Sequence, residues 1–217
     1  MTDPNELLAA GLASTRAYWE KKATADGDDC ARIEMSSRAQ RMRFENFLVH
    51  HDFTNASLLD IGCGAGGFFD HLSQRNFTGD YLGVDLTPEM VERCRSRFPS
   101  GHFECRNILE WPTEQRWDYT LAFSIHNVRM PGGRELLEGV TRRQFELCRR
   151  GAHVDLLTDR YEGFDPHIQP WRAEEILTLA LAITPYVVLR HDFLPNALSV
   201  TLYREPLIDT HPHLVLG

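Results

Sequence analysis

Leu59-Asp60-Ile61-Gly62-Cys63-Gly64-Ala65-Gly66-Gly67-Phe68 is the stretch that decides how this chain is read. A short apolar run, Leu58 to Ile61, has the length and content of a strand and carries one acid, Asp60. Glycines then turn the backbone, and a helical pattern runs from Gly66 to Gln74. Glycine is needed where a turn demands a positive φ, and where a Cβ would hold a ligand away from the main chain. The unpaired N–H groups of the helix that begins there favour a carboxylate or another anionic group.

Outward from this loop, short apolar runs alternate with helical segments. Strands are expected at 81–85, 102–105, 119–125 and 152–157, and helices at 88–98, 134–149 and 173–182. Two more strands, 186–193 and 198–203, follow with no helix between them, and Pro195-Asn196 supplies the turn of an antiparallel hairpin. The pattern predicts an α/β fold: a doubly wound, mostly parallel seven-stranded sheet closed by that hairpin. Ahead of the loop, helices are expected at 3–23 and 37–51, the second capped by Ser36. The polar stretch 24–29 reads as a hinge between them. The chain therefore divides into a helical cap with its hinge (1–35), a main domain (36–205) and a tail (206–217).

Sheets of this kind bind ligands beyond the carboxyl ends of their strands. Gly62, Gly64 and Gly67 satisfy the G-x-G-x-x-G pattern of dinucleotide sites, and the same letters read Asp-x-Gly-x-Gly-x-Gly. In the second form the chain resembles motif I of class I S-adenosylmethionine (AdoMet)-dependent methyltransferases. That likeness implies a Rossmann-like fold, with AdoMet as cofactor and S-adenosylhomocysteine as its product. It implies that Asp60 faces the cationic amino end of AdoMet, with Gly62, Cys63 and Gly64 as the cradle. A charge buried at a strand end is costly unless paired, which favours a ligand-facing Asp60. Asp85 closes the second strand and can accept hydrogen bonds from both hydroxyls of a ribose, with Leu86 beside it; the alternative is an acid at a helix N-terminus. Asn107-Ile108 stands where the family usually has an acid and an apolar residue at the adenine, and an amide oxygen can still accept from an amino group. Trp117-Asp118-Tyr119 and Cys148-Arg149-Arg150-Gly151, placed just ahead of the fourth and fifth strands, extend the resemblance, which covers roughly 36–204.

Ser36-x-x-x-Gln40-x-x-Arg43-Phe44, His191-Asp192-Phe193 and Tyr203-Arg204 are similar to a group of small bacterial methyltransferases. Arg43 is either a clamp for the methionine carboxylate of AdoMet or a surface residue paired with Glu45 or Glu34. The acceptor is expected over the end of the fourth strand, at Phe123-Ser124-Ile125-His126-Asn127. Ser124 would lie near the cofactor, and His126 and Asn127 would face the acceptor. His126 is the titratable group suited to proton transfer near neutral pH, if it is not a packing ring. Tyr18 and Trp19 form a candidate lid, or pack that helix on the core. Tyr161, Phe164, His167 and Trp171 are candidate pocket lining. His153 and Asp155 share one face of the fifth strand, where they can pair.

Composition narrows the function further. The net charge is −8, which argues against a nucleic-acid partner. The arginines at 38, 41 and 43, at 93, 95 and 97, and at 142 and 143 lie close to acids, and most of them read as solvated helix faces. The five cysteines form no C-x-x-C pair, and His211-x-His213 reads as part of the tail, so no metal site is expected. With no secretory signal and no membrane-length apolar run, the expected location is cytoplasmic. The leading expectation is methyl transfer to a small molecule. An NAD(P)-dependent oxidoreductase and a non-catalytic AdoMet-binding module are the alternatives. The sequence leaves the acceptor atom and the oligomeric state open.

Overall fold

The computed structural model describes residues 3–25, 37–51 and 53–207. Ser36, Glu34, Cys30, His211, His213 and most of the 24–29 hinge lie outside them. Seven strands form one sheet: β1 (Leu58–Ile61), β2 (Tyr81–Asp85), β3 (His102–Cys105), β4 (Trp117–Phe123), β5 (Cys148–Leu157), β6 (Val187–Arg190) and β7 (Ala197–Tyr203). Their order is β3-β2-β1-β4-β5-β7-β6. The pairs from β3 through β5 are parallel, and β7 is antiparallel to both β5 and β6. The helices are α1 (Pro4–Ala25), α2 (Ser37–Leu48), α3 (Gly67–Ser73), α4 (Pro88–Arg97), α5 (Gly133–Leu147) and α6 (Ala173–Leu181).

Alternation along the strands assigns the faces. On β1, Leu58 packs with Phe44, Phe47 and Leu48 of α2 and Phe68 and Leu72 of α3. Leu59 and Ile61 point the other way, to Leu136 and Val140 of α5. The even and odd residues of β5 divide similarly: Ala152, Val154 and Leu156 meet Ile176 and Ala180 of α6, whereas His153 stacks on Phe47 of α2. Apolar residues at i, i+3 and i+4 (Phe44, Phe47, Leu48) explain why α2 lies on the sheet as a helix.

The predicted elements are all present, with shifted ends. The residues expected just ahead of the fourth and fifth strands are their first residues: Trp117 and Cys148 are buried and pair across a register shift. Residues 49–51 leave the helix because the His51 ring sits 2.8 Å from the Phe47 carbonyl that the next turn would use. The helix expected over 3–23 continues to Ala25, into the stretch read as hinge. No helix among the described residues is long and apolar enough to cross a membrane.

α1 lies across α4 and the start of α5. The crossing depends on two glycines in backbone contact. A Cβ on Gly11 would stand 2.7 Å from the Gly132 carbonyl oxygen, and one on Gly132 would stand 1.9 Å from that of Leu7. Gly132 is also the left-handed residue that starts α5, with φ 69°. This close approach brings Leu12, Thr15 and Trp19 over the carboxyl ends of the strands. Gly11→Val is expected to push α1 off α5 and to lower unfolding stability by about 1–3 kcal/mol, the usual cost of overpacking. Urea denaturation followed by tryptophan fluorescence checks it.

Candidate active site

The turn after β1 is built from left-handed glycines: Gly62, Gly64 and Gly66 have φ of 72°, 52° and 79°. A Cβ on Gly62 would lie 2.3 Å from Cγ2 of Ile125, and one on Gly66 2.7 Å from the Phe98 ring. Gly64 differs: no atom lies within 4 Å of its Cβ position. It lines a cavity of about 430 Å³ above the carboxyl ends of the strands. Asp85 braces this turn. Its Oδ2 accepts from the Gly64 N–H at 2.9 Å, and its Oδ1 from the Thr87 N–H at 2.9 Å. Cys63 lines the cavity and also belongs to the core cluster, where a hydrogen bond with Cys94 and burial hold its thiol well above the ordinary value.

Asp60 is 2% exposed and lines the same cavity. The Tyr81 hydroxyl donates to its Oδ2 at 2.7 Å. Burial pushes its pKa up to about 7; the tyrosine opposes the shift, and the charge of Asp85 adds to it. Asp85 is also shifted upward by burial, against the backbone N–H groups that hold it. Two acids, a glycine turn open at Gly64, and Leu86, Asn107, Ile108 and Ser124 therefore share one cavity. The space that a Cβ at Gly64 would fill, and the demand of Asp60 for a cation, fit the amino end and ribose of a sulfonium nucleoside. Asn107 holds its own turn, accepting the Leu109 N–H at 3.1 Å, and this carboxamide oxygen keeps a second lone pair.

Other residues stand differently from the sequence expectations. Arg43 lines the cavity and is not a surface residue. It is 2% exposed and forms a buried ion pair with Asp155, and its Nη1 also lies 3.4 Å from the Leu156 carbonyl. Asp155 is thereby taken from His153, whose Nδ1 lies instead 2.8 Å from the Thr201 hydroxyl. Asn127 lines the cavity, but its side-chain oxygen accepts the Leu157 N–H at 3.0 Å. Trp19 lines the cavity, whereas Tyr18 packs edge-on against it from outside the lining. Phe164 and His167 line the cavity, Tyr161 is exposed, and the Trp171 indole donates to the His126 carbonyl at 2.9 Å.

His126 is 5% exposed, and its Nε2 is sealed without a hydrogen-bond partner among the described residues. Burial drives its pKa down to about 3. The ring is neutral near pH 7 and holds a proton poorly, which is the opposite of the property expected of a base at that position. Leu12, Thr15, Gln40, Phe68 and Asn196 also line the cavity, although the sequence assigns none of them to the site. The spacing 12, 15, 19 on α1 is the one signal that could have found two of them. Among the described residues no cluster of His, Cys, Asp or Glu could hold a metal ion.

The parallel sheet with its antiparallel β7 and the glycine turn at the end of β1 give the Rossmann-like fold that methyltransferases share. Residues 58–143 match the family model described as a methyltransferase domain. The protein Rv1506c of Mycobacterium tuberculosis, which carries a methyltransferase name, is 39% identical over 74 residues, covering 34% of this chain and 44% of that protein. A trans-aconitate 2-methyltransferase of Variovorax paradoxus is 34% identical over 68 residues, covering 31% of this chain and 26% of that one. The chain thus matches less than half the length of these curated relatives. Among solved structures, the plantazolicin methyltransferase BpumL with S-adenosylhomocysteine and a substrate analogue superposes with a TM-score of 0.69 at 16% identity, over 92% of this chain and 96% of that one. The magnesium protoporphyrin IX methyltransferase of Synechocystis PCC 6803 superposes with a TM-score of 0.62 at 11% identity, over 88% of this chain and 100% of that one. At these identities the structures speak for the fold alone.

The site generates two predictions. If Asp60 receives the ligand's ammonium group, binding expels its proton. S-adenosylhomocysteine affinity then rises by up to about tenfold per pH unit below pH 7 and levels off above it. Asp60→Asn flattens that dependence, and calorimetry from pH 5.5 to 8 reads both. The stability of the ligand-free fold runs the other way. An acid near 7 in the fold and about 4 when unfolded gives stability that is full below pH 4 and is lost as pH rises through 7. Separately, Asp85→Ala is expected to weaken S-adenosylhomocysteine binding by about 1–3 kcal/mol, the scale of a lost hydrogen bond to a charged group; unchanged affinity would remove Asp85 from the ribose.

Proposed function

We propose that this chain is an AdoMet-dependent methyltransferase that methylates a small molecule. The observation carrying this reading is the single continuous cavity. Asp60, the glycine turn and Asp85 line it together with Phe44, Phe164, His167, Asn196 and, from α1, Trp19. AdoMet supplies a methyl group on a cationic sulfur, already activated toward a nucleophile. The protein's part is to hold, align and dry the two partners. Asp60 would hold the amino end, Asp85 the ribose hydroxyls, and Asn107 with Ile108 the adenine.

A small acceptor is favoured by enclosure and by charge. The cavity is roofed by α1, and the chain carries a net charge of −8. The arginines read as solvated faces include several paired on the surface: Arg95 with Glu92, Arg97 with Asp70, Arg142 with Glu138 and Arg143 with Glu146. That leaves them poorly placed to form a phosphate-binding strip. Trans-aconitate and magnesium protoporphyrin IX, in the names of the relatives above, are small molecules. With His126 neutral, methyl transfer would rely on a nucleophile that needs no proton removed by that ring.

The deciding experiment has two arms. Calorimetric titration should show S-adenosylhomocysteine binding and no NAD binding; NAD binding alone would favour an oxidoreductase instead. Incubation with methyl-labelled AdoMet and cell extract should then place label in the low-molecular-weight fraction. Label confined to RNA or protein would move the acceptor class, and cofactor binding with no label in any fraction would leave a non-catalytic module.

A further inference from the structure

At the wall of the cavity, α2, β5 and the end of β4 meet at one buried polar cluster, of which Arg43 and Ser124 line the cavity. Arg43 reaches from α2 to Asp155 near the end of β5. Asp155 in turn holds Ser124, the first residue past β4, by two bonds. Its Oδ1 accepts the Ser124 hydroxyl at 2.9 Å, and its carbonyl accepts the Ser124 N–H at 3.1 Å. Ser124 is the one non-glycine residue among those described with a positive φ, at 62°. That conformation costs an ordinary L-residue energy unless its surroundings enforce it. The next residue, Ile125, sets its Cγ2 where a side chain on Gly62 would be. The chain of contacts thus runs Arg43, Asp155, Ser124, Ile125, Gly62, from the cap-side helix to the first glycine of the cofactor turn.

Arg43 Nε and Asp155 Oδ2 are sealed from solvent and have no hydrogen-bond partner among the described residues. A buried ion pair is weak evidence for stability, since well-packed apolar replacements often do as well. Retaining one here, with unmet hydrogen-bonding capacity on both partners, calls for another role.

We propose that the Arg43–Asp155 pair is a positioning device for the cofactor site: it holds Ser124 left-handed, which presses Ile125 against Gly62 and keeps the glycine turn in its binding shape. This rests on the reading of the cavity as an AdoMet site. It reassigns Arg43 from clamping the cofactor to fixing the turn that cradles it.

The test replaces the pair with apolar residues and then relieves Ser124. Arg43→Met with Asp155→Leu removes both charges together, so no unpaired charge is left buried. The double variant is expected to bind S-adenosylhomocysteine at least tenfold more weakly. Adding Ser124→Gly should recover most of that loss, because glycine occupies the left-handed region without help. A merely structural role for the pair would not be rescued by a glycine at 124. Full affinity in the double variant, or no recovery on adding the glycine, overturns the proposal. Should the double variant fail to fold, the single variants decide: Ser124→Ala should bind at least fivefold more weakly than Ser124→Gly, and equal affinities overturn the idea. A crystal structure of the ligand-free double variant keeps this separate from the AdoMet reading. Residue 124 should leave the left-handed region, and if it stays there the proposal falls whatever the protein binds. Failure of the wild-type protein to bind S-adenosylhomocysteine would instead count against the proposed function.

Discussion

Everything in this site depends on a backbone that must turn from extended strand to helix within a few residues, using left-handed conformations that only glycine adopts cheaply. The turn is gripped from several directions. Ile125 sits against Gly62, Phe98 under Gly66 and Gln40 against Gly67. The Cys94 thiol donates to the Gly64 carbonyl at 3.0 Å, and Asp85 holds the Gly64 N–H. The side of Gly64 that would carry a Cβ is left open, and that opening faces the cavity. Rigidity of the turn and access to its main chain are therefore two results of one arrangement.

Two buried acids in the same fold show how environment separates roles. Asp155 is fully buried and has a guanidinium partner, so burial raises its pKa while Arg43 opposes the rise. Asp60 is equally buried but has only a phenol to offset the loss of water. A carboxyl group in that state is held near neutrality and is stabilised by an arriving cation. Asp155 is charge-paired within the protein and also holds the backbone at Ser124. Asp60 has no such ion pair among the described residues and lines the cavity. The difference lies in the partner supplied by a neighbouring element, not in the residue type.

This explains what could be read in advance. The strand-helix alternation, the hairpin at 186–203 and the glycine turn with its two nearby acids were legible because they are written in local pattern: glycine spacing, an acid two residues before the first glycine, an acid closing the second strand. Arg43 was legible as a charged residue on a helix face, but not as the partner of Asp155, 112 positions away. The pairing offered for His153 and Asp155 used the correct shared face, yet sequence could not show that α2 would bring an arginine to one and that β7 would bring Thr201 to the other. His126 shows the limit most sharply. Its ordinary titration range suggested a proton acceptor, and the quantity that governs its chemistry, burial, comes from packing that includes Trp171 in a distant loop.

The two ends of the cavity also differ in how they recognise. At the cofactor end the groups are main-chain atoms of one turn and two acids on adjacent strands β1 and β2, fixed by sheet register. At the acceptor end they are side chains from α1, α2 and the loops after β5 and β6. Sheet register resists change, because slipping a strand by one residue would send every side chain to the opposite face. Loops and cap helices carry no such constraint, so they can be reshaped without disturbing the turn that holds the cofactor. The cluster of Arg43, Asp155 and Ser124 lies where these two regimes meet. It ties α2 to the ends of β4 and β5 by an ion pair and two hydrogen bonds.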